Sequence, residues 1–394
     1  MGSHGWFERY IYLLRDIIPA GKGFLVGGVV RDRILGRGIG RDIDIAVDGS
    51  GLAIARKVAD ICGGAFVPMD EDLDVGRVVL KDELVGKITI DISALRGSSI
   101  EEDLSIRDFT INAIGESLSS EGELIDPVGG MEDLRAGILR ACYERAFLDD
   151  PVRIPRAFRF HAELGFRLED RTASLLSSQV GELRRASKER VRDELMKILS
   201  CDNASRGVKL AQDMGIIEAI SGYGRVIEGA DRRVEAVRRI FGSIPDEARR
   251  FLSTELSEGR PRISMVLLSS IPGEPPFVPD LPLSRAEVRE LMAYQSAIKL
   301  IRTLWGKMDL EGIAFELFWE EGERGVGAAI LWGAISDMEE EVGRMVGWYF
   351  EKMRGKRAKL EPEEIRSGMK GEEIRDLLKR RTKRLVMGDE HPCC

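Results

Sequence analysis

The chain has 394 residues, of which 43% are hydrophobic and 32% charged, and its formal net charge is −8. This suits a globular protein of two or three domains with a sizeable core, and no apolar run approaches the length needed to cross a bilayer. Five cysteines without paired spacing argue against a disulfide framework, and three histidines argue against zinc. The acidic balance argues weakly against a nucleic-acid partner, unless basic residues cluster locally.

Met1-Gly2-Ser3-His4 has the look of a tag remnant, and no secretory signal follows it, so a cytoplasmic protein is expected. Cys393-Cys394 is expected to be solvated and incidental. Residues 6–18 have helical apolar spacing. KGFLVGG (22–28) reads as a strand ending in a glycine turn, and VVRDRIL (29–35) as a short helix closed by Gly36. DIDIAV (42–47) alternates as a strand, and GLAIARKVADICG (51–63) is a helix with a glycine stop. Strands follow at about 64–68, 75–81 and 86–93. This is an α/β unit with a small, mixed sheet. Beyond about residue 145 the pattern turns helical, at 151–164, 170–179, 187–199 and 203–213. The Pro-rich stretch 269–284 is the clearest break, and Ser284 is placed to cap the helix after it. No fixed-period repeat is present.

Asp42 and Asp44 stand two apart on one strand, so both carboxylates project from one face. Their repulsion calls for a cation between them, and Mg2+ prefers such oxygens. The turn at Gly27-Gly28 leads into a helix start that favours phosphate, with Arg31 one turn on. Asp91, between isoleucines in KITIDISAL, is a candidate third carboxylate on a neighbouring strand. It is equally well read as a solvent-facing strand residue. A phosphate cradle beside a carboxylate metal site suits nucleotidyl transfer.

Five blocks, in order, cover residues 24 to about 200: LVGGVVRDRILGR…RDIDIAV, EEDLSIRDFTINAI, LIDPVGGMEDLRAGILR, DDPVRIPRAFRFHAELGF and ERVRDELMKIL. On these the chain resembles bacterial class II tRNA nucleotidyltransferases and their poly(A) polymerase relatives. The resemblance implies an α+β fold with a polymerase-β-like head at 1–140, a helical neck at 141–205 and a helical RNA-binding body and tail at 206–394. It implies template-independent addition of C, or C and A, to tRNA 3′ ends from CTP and ATP. It assigns Mg2+ to Asp42 and Asp44 and nucleotide contacts to Gly28, Arg31, Arg107 and Asp108, beside which Asp91 stays the candidate third metal ligand and Gly27 a candidate nucleotide contact by their placement. The fourth block contributes Asp150, Arg153, Arg156 and Arg159. A carboxylate and a guanidinium at Asp150 and Arg153 suit the amine and ring acceptor shared by C and A, which U and G lack.

Three departures stand out. Ile106 replaces a usual arginine. Pro155 replaces an aliphatic residue and is expected to kink its helix. Only eleven residues separate Asp91 from Asp103, where CCA-adding members carry a longer loop, which favours a CC-adding enzyme. Arginines at 182–197 and 232–241, and the basic end of 372–385, are candidates for tRNA phosphate contacts or plain solvated faces. The five tryptophans are read as core, and His161 as packing or capping. A poly(A) polymerase is the next alternative, disfavoured because no strongly basic C-terminal extension is present. A non-catalytic RNA-binding protein and transfer to a small molecule are weaker ones.

Overall fold

The computed structural model describes residues 5–119, 122–257, 259–361 and 371–388. The tag-like residues 1–4 and Cys393-Cys394 lie outside them. The chain divides into two compact units, with the boundary between Arg185 and Ala186.

The first unit opens with α1 (Gly5–Ile17), whose spacing gathers Trp6, Phe7, Tyr10, Ile11, Leu14 and Ile17 on one buried stripe. Then come β1 (Gly23–Val26), α2 (Gly28–Ile34), β2 (Asp42–Val47), α3 (Gly51–Cys62), β3 (Ala65–Asp70), β4 (Val75–Asp82) and β5 (Gly86–Ala94). Helix α3 has a Ser50 cap that accepts from the Ala53 N–H, and it ends at Gly63 with φ 65°. Two elements that the pattern did not announce, β6 (Gly115–Ser117) and β7 (Leu124–Ile125), complete a seven-stranded sheet. Its order is β3-β4-β5-β2-β1-β6-β7, and only β2 and β5 run parallel. The sheet is mixed, as expected.

Alternation decides which side chains do what. Ile43, Ile45 and Val47 of β2, with Ile88, Ile90 and Ile92 of β5, are all buried on one face. The opposite face carries Asp42, Asp44 and Ala46 beside Thr89, Asp91 and Ser93. Part of it is roofed by α4 (Ile100–Ser105), where Ile100 and Leu104 pack with Phe24, Val26 and Ala46. The apolar roof stops before Asp42 and Asp44, so the sheet itself presents them at its edge of cover.

The unit closes with α5 (Gly130–Ala136), β8 (Ile138–Leu139), α6 (Ala146–Asp149), α7 (Arg153–Leu164), β9 (Arg167–Leu168) and α8 (Asp170–Gln179). Strand β9, paired in parallel with β8, and, in the second unit, the hairpin Glu255–Ser257 with Arg260–Pro261 are strands within the stretch read as helical. Pro155 is the third residue of α7. The first-turn N–H groups of a helix have no intrahelical acceptor, so the missing donor costs nothing there and no kink is required. The expected kink is corrected on that ground. His161 Nδ1 lies 2.7 Å from the Phe166 carbonyl and ties down the end of α7, a packing role as expected.

The second unit is dominated by helices. Ser284 and Glu287 form a reciprocal capping box at the start of Arg285–Leu304. Glu287 and Glu290 of that helix are buried, and Arg260 and Arg262 pair with them at 2.6 Å. Trp319, Trp332 and Trp348 are core residues here, as Trp6 is in the first unit. Trp305 is 37% exposed, against expectation, with its ring leaning on Trp332 at 4.6 Å. No helix among the described residues is long and apolar enough to cross a membrane.

Candidate active site

Strand register assembles the carboxylates. Asp44 on β2 is the direct partner of Asp91 on β5, and Asp91 is the direct partner of Arg77 on β4. The three form one row across the sheet, and Asp42 flanks it one pleat away. Arg77 grips Asp91 with two parallel bonds of 2.7 Å, from Nε to Oδ1 and from Nη2 to Oδ2. Asp91 is therefore where the sequence placed it, but committed to a cation of the protein's own. Among the described residues no three His, Cys, Asp or Glu side chains are grouped as a metal cage.

Asp44 carries the strain of the cluster. Burial, then the Asp91 charge and the Asp42 charge, push its carboxyl up to about 6, and Arg107 and Arg156 pull the other way. Like charges short of a counter-ion fit a hard divalent cation held by Asp42 and Asp44. Gly27 sits directly against this pair. It has φ 75° and ψ −144°, and a Cβ on it would lie 3.0 Å from Asp44 Oδ2 and 3.7 Å from Arg107 Nη1. The turn is bare because nothing larger fits between Asp44 and Arg107.

Arg107 is aimed by Asp103, whose Oδ2 accepts from its Nε at 3.1 Å and its Nη2 at 2.8 Å. The other Asp103 oxygen accepts from the Arg96 N–H at 3.1 Å. Residues 95–99 are fastened further by Leu95 N–H to the Val47 carbonyl at 2.9 Å and Ser98 N–H to Glu102 at 2.7 Å. The connection after Asp91 is thus short and clasped at both ends.

Arg31 is only 4% exposed and turned inward. It donates to Asp32 at 2.8 Å and to Asn112 Oδ1 at 2.9 Å, and its Nη2 is 3.6 Å from Glu163. Asn112 Nδ2 donates to Asp108 at 3.3 Å, and Arg156 donates to Asp108 through Nε at 2.7 Å. A polar chain therefore runs from α2 to α7. Arg31, Arg156 and Arg159 all lie over the Phe160 ring, at 5.3, 5.3 and 4.4 Å. Burial alone would raise the Asp108 carboxyl, but the Arg156 charge and the Phe109 N–H hold it down at about 2. Because the folded value lies below the unfolded one, this stabilisation is present above about pH 4 and lost as pH falls towards 2; it contributes roughly 2 kcal/mol at neutral pH. Thermal melts between pH 5 and 2 should show Asp108→Asn losing less stability on acidification than the parent. Parallel curves would show that Asp108 is not the acid-sensitive group.

Arg153, 8% exposed, donates to the Ile106 carbonyl at 3.0 Å, the Arg107 carbonyl at 3.2 Å and the Tyr143 hydroxyl at 3.1 Å. The Ile106 departure is thereby explained in part: position 106 contributes its backbone to this contact, while its side chain is 38% exposed. Asp150 caps the turn into α7, accepting from the Val152 N–H at 3.2 Å.

Residues 23–140 match the Poly A polymerase head domain, and residues 165–221 match the probable RNA and SrmB-binding site of polymerase A. Over 252 residues the chain is 38% identical to a CC-adding tRNA nucleotidyltransferase of Geobacter sulfurreducens, covering 63% of this chain and 57% of that protein. Over 200 residues it is 36% identical to an A-adding tRNA nucleotidyltransferase of Deinococcus radiodurans, covering 49% of this chain and 45% of that one. The matches thus span about half the length of these curated relatives. The structure of a Thermotoga maritima CCA-adding enzyme complexed with tRNA superposes with a TM-score of 0.73 at 25% identity, over 99% of this chain and 93% of that one. The α+β head followed by helices is the fold of that enzyme.

The structure brings together what the sequence singled out in the first unit: both aspartates, the glycine turn and the arginines of the fourth block. Sequence reasoning missed Arg77, Asp103, Asn112, Tyr143 and Phe160. The Asp103–Arg107 spacing of four was a legible helix-pair signal. Arg77 had none, since only strand register brings it to Asp91. Several arginines read as RNA contacts turn out to be tied internally. Arg233 donates to the carbonyls of Ile227, Glu228, Ser270 and Ile271, and Arg238 to that of Leu199. In the helix Gly371–Met387, Lys379 and Arg375 pair with Glu320, and Lys383 lies over the Phe315 ring.

Proposed function

We propose that this chain is a template-independent tRNA nucleotidyltransferase that adds C to the 3′ end of tRNA and halts after two additions. The observation that carries the chemistry is the row Arg77–Asp91–Asp44 facing the bare turn at Gly27. The 3′-hydroxyl gives up its proton to solvent as its oxygen bonds to the α-phosphorus of CTP, the bond from that phosphorus to the bridging oxygen breaks, and pyrophosphate leaves with that oxygen. Asp42 and Asp44 would hold Mg2+, which would supply Lewis-acid charge for phosphoryl transfer there. Asp91, clamped by Arg77, supports Asp44 from the next strand. Gly27 and Gly28 admit the triphosphate, and Arg107, aimed by Asp103, stands beside it. Arg31 and Asp108 brace α2 against α7. Asp150 and Arg153 read the base, with Arg156 and Arg159 beside them towards phosphate. The domains follow as a catalytic head, a neck, and a body and tail that hold tRNA; a cytoplasmic place of work goes with that substrate.

The halt is inferred from residues 95–99. An element needed to reshape the pocket from cytosine to the larger adenine must move, and this one is held by Leu95, Arg96 and Ser98. The CC-adding name of the Geobacter sulfurreducens relative supports this reading. The A-adding name of the Deinococcus radiodurans relative, at 36% identity, supports A addition as the second reading. Incubation of CTP or ATP alone with tRNA lacking its CCA end, and separately with tRNA ending in CC, tests both. Pyrophosphate release with CTP supports the first, and release with ATP only on a CC end supports the second.

A further inference from the structure

Arg153 does not stand alone in its pocket. Its Nη1 donates to both the Arg107 carbonyl and the Tyr143 hydroxyl, and its Nη2 donates to the Ile106 carbonyl. The Tyr143 ring also lies beside it, 5.7 Å from centroid to guanidinium carbon. Tyr143 sits between β8 and α6, on a stretch anchored on both sides. The Cys142 N–H donates to the Asp108 carbonyl at 3.2 Å, and the Glu144 carbonyl accepts from Gln179 at 3.2 Å. The phenol is therefore a fixed post rather than a passing contact. Burial above all pushes the phenol above its usual range, against the pull of the Arg153 charge beside it. At neutral pH it remains a hydroxyl, able to accept from Arg153.

We infer that Tyr143 is a positioning residue for base choice: it locks the Arg153 fork at the angle from which that guanidinium meets the incoming base. The inference rests on the nucleotide-adding reaction proposed above. A guanidinium bonded at two carbonyls alone can still pivot about them, and a third acceptor restricts that freedom. The same lattice couples the two ends of the nucleotide site. Arg153 grips the backbone of Arg107, whose side chain is aimed by Asp103. Discrimination between cytosine and uracil depends on the direction of Arg153 as well as its charge, because the two bases differ in the donor or acceptor they present at the 4-substituent and at N3.

The test uses the full chain and tRNA lacking its CCA end, with CTP, UTP, ATP or GTP supplied singly. The parent, Tyr143→Phe and Arg153→Ala are compared by kcat/KM for each nucleotide and by thermal melting. Loss of one hydrogen bond to a charged group should lower the CTP-to-UTP ratio about tenfold in Tyr143→Phe, with the ring still in place and the melt little changed. Arg153→Ala should lose the ratio further. A folded Tyr143→Phe that keeps the parent ratio, while Arg153→Ala loses it, overturns the role of Tyr143 and leaves the reaction standing. Equal losses for all four nucleotides also overturn it, since they mark a merely structural residue. If the parent adds no nucleotide at all, the proposed function itself fails, and this inference with it.

Discussion

Asp44→Ala is expected to abolish nucleotide addition while leaving the head folded, and Asp42→Ala to do the same. Loss of a carboxylate that holds charge at the reacting oxygens should cost about 10²-fold or more in rate. The fold should survive because both side chains lie at the edge of the apolar roof rather than within it. Removing Asp44 also relieves its repulsion with Asp91 and Asp42, so its loss should not lower the melting temperature. Single-turnover rates at saturating CTP, set beside thermal melts, check this. A folded variant with near-parental turnover would place the chemistry elsewhere.

Arg153→Ala is expected to blur the choice of C and A over U and G far more than it weakens triphosphate binding. In the proposed function the triphosphate meets the turn at Gly27 and Gly28, away from the base. A site built to hydrogen-bond a base edge typically rejects wrong partners strongly, so selectivity should fall by about 10²-fold. Arg153 is buried and bonded to two backbone carbonyls, so some stability goes with it. The informative quantity is therefore the ratio of kcat/KM between nucleotides, which a partly unfolded population does not alter. A variant that incorporates less of every nucleotide in the parental ratio would contradict the base-reading role.

Residues close in sequence were legible from sequence, and residues joined only by register were not. Asp42 and Asp44 share a strand, and strand alternation alone puts them on one face. Gly27 and Gly28 could be read because a bare turn before a helix has few other uses. Asp91 could be nominated but not characterised. Its meaning depends on Arg77, which sits fourteen residues back on an antiparallel partner and carries no local signal. The short strands β6 and β7 were missed because pairs of two or three residues leave no measurable alternation. Pro155 was misjudged for a smaller reason. The helix begins at Arg153 rather than 151, and that shift turns an interior proline into a first-turn one. Arg233 and Arg238 looked like a basic face because helical spacing shows the side of a helix but not what packs there.

The most direct measurement is the sequence of the tRNA ends produced by this protein alone. A tRNA lacking CCA is incubated with CTP and ATP together, and the 3′ ends are read individually. The account predicts ends that stop at CC, with little or no terminal A even when ATP is abundant and the reaction is long. Ends completed to CCA would contradict the halt and make residues 95–99 irrelevant to it. Ends left unextended, with A added only to tRNA that already carries CC, would contradict C addition itself.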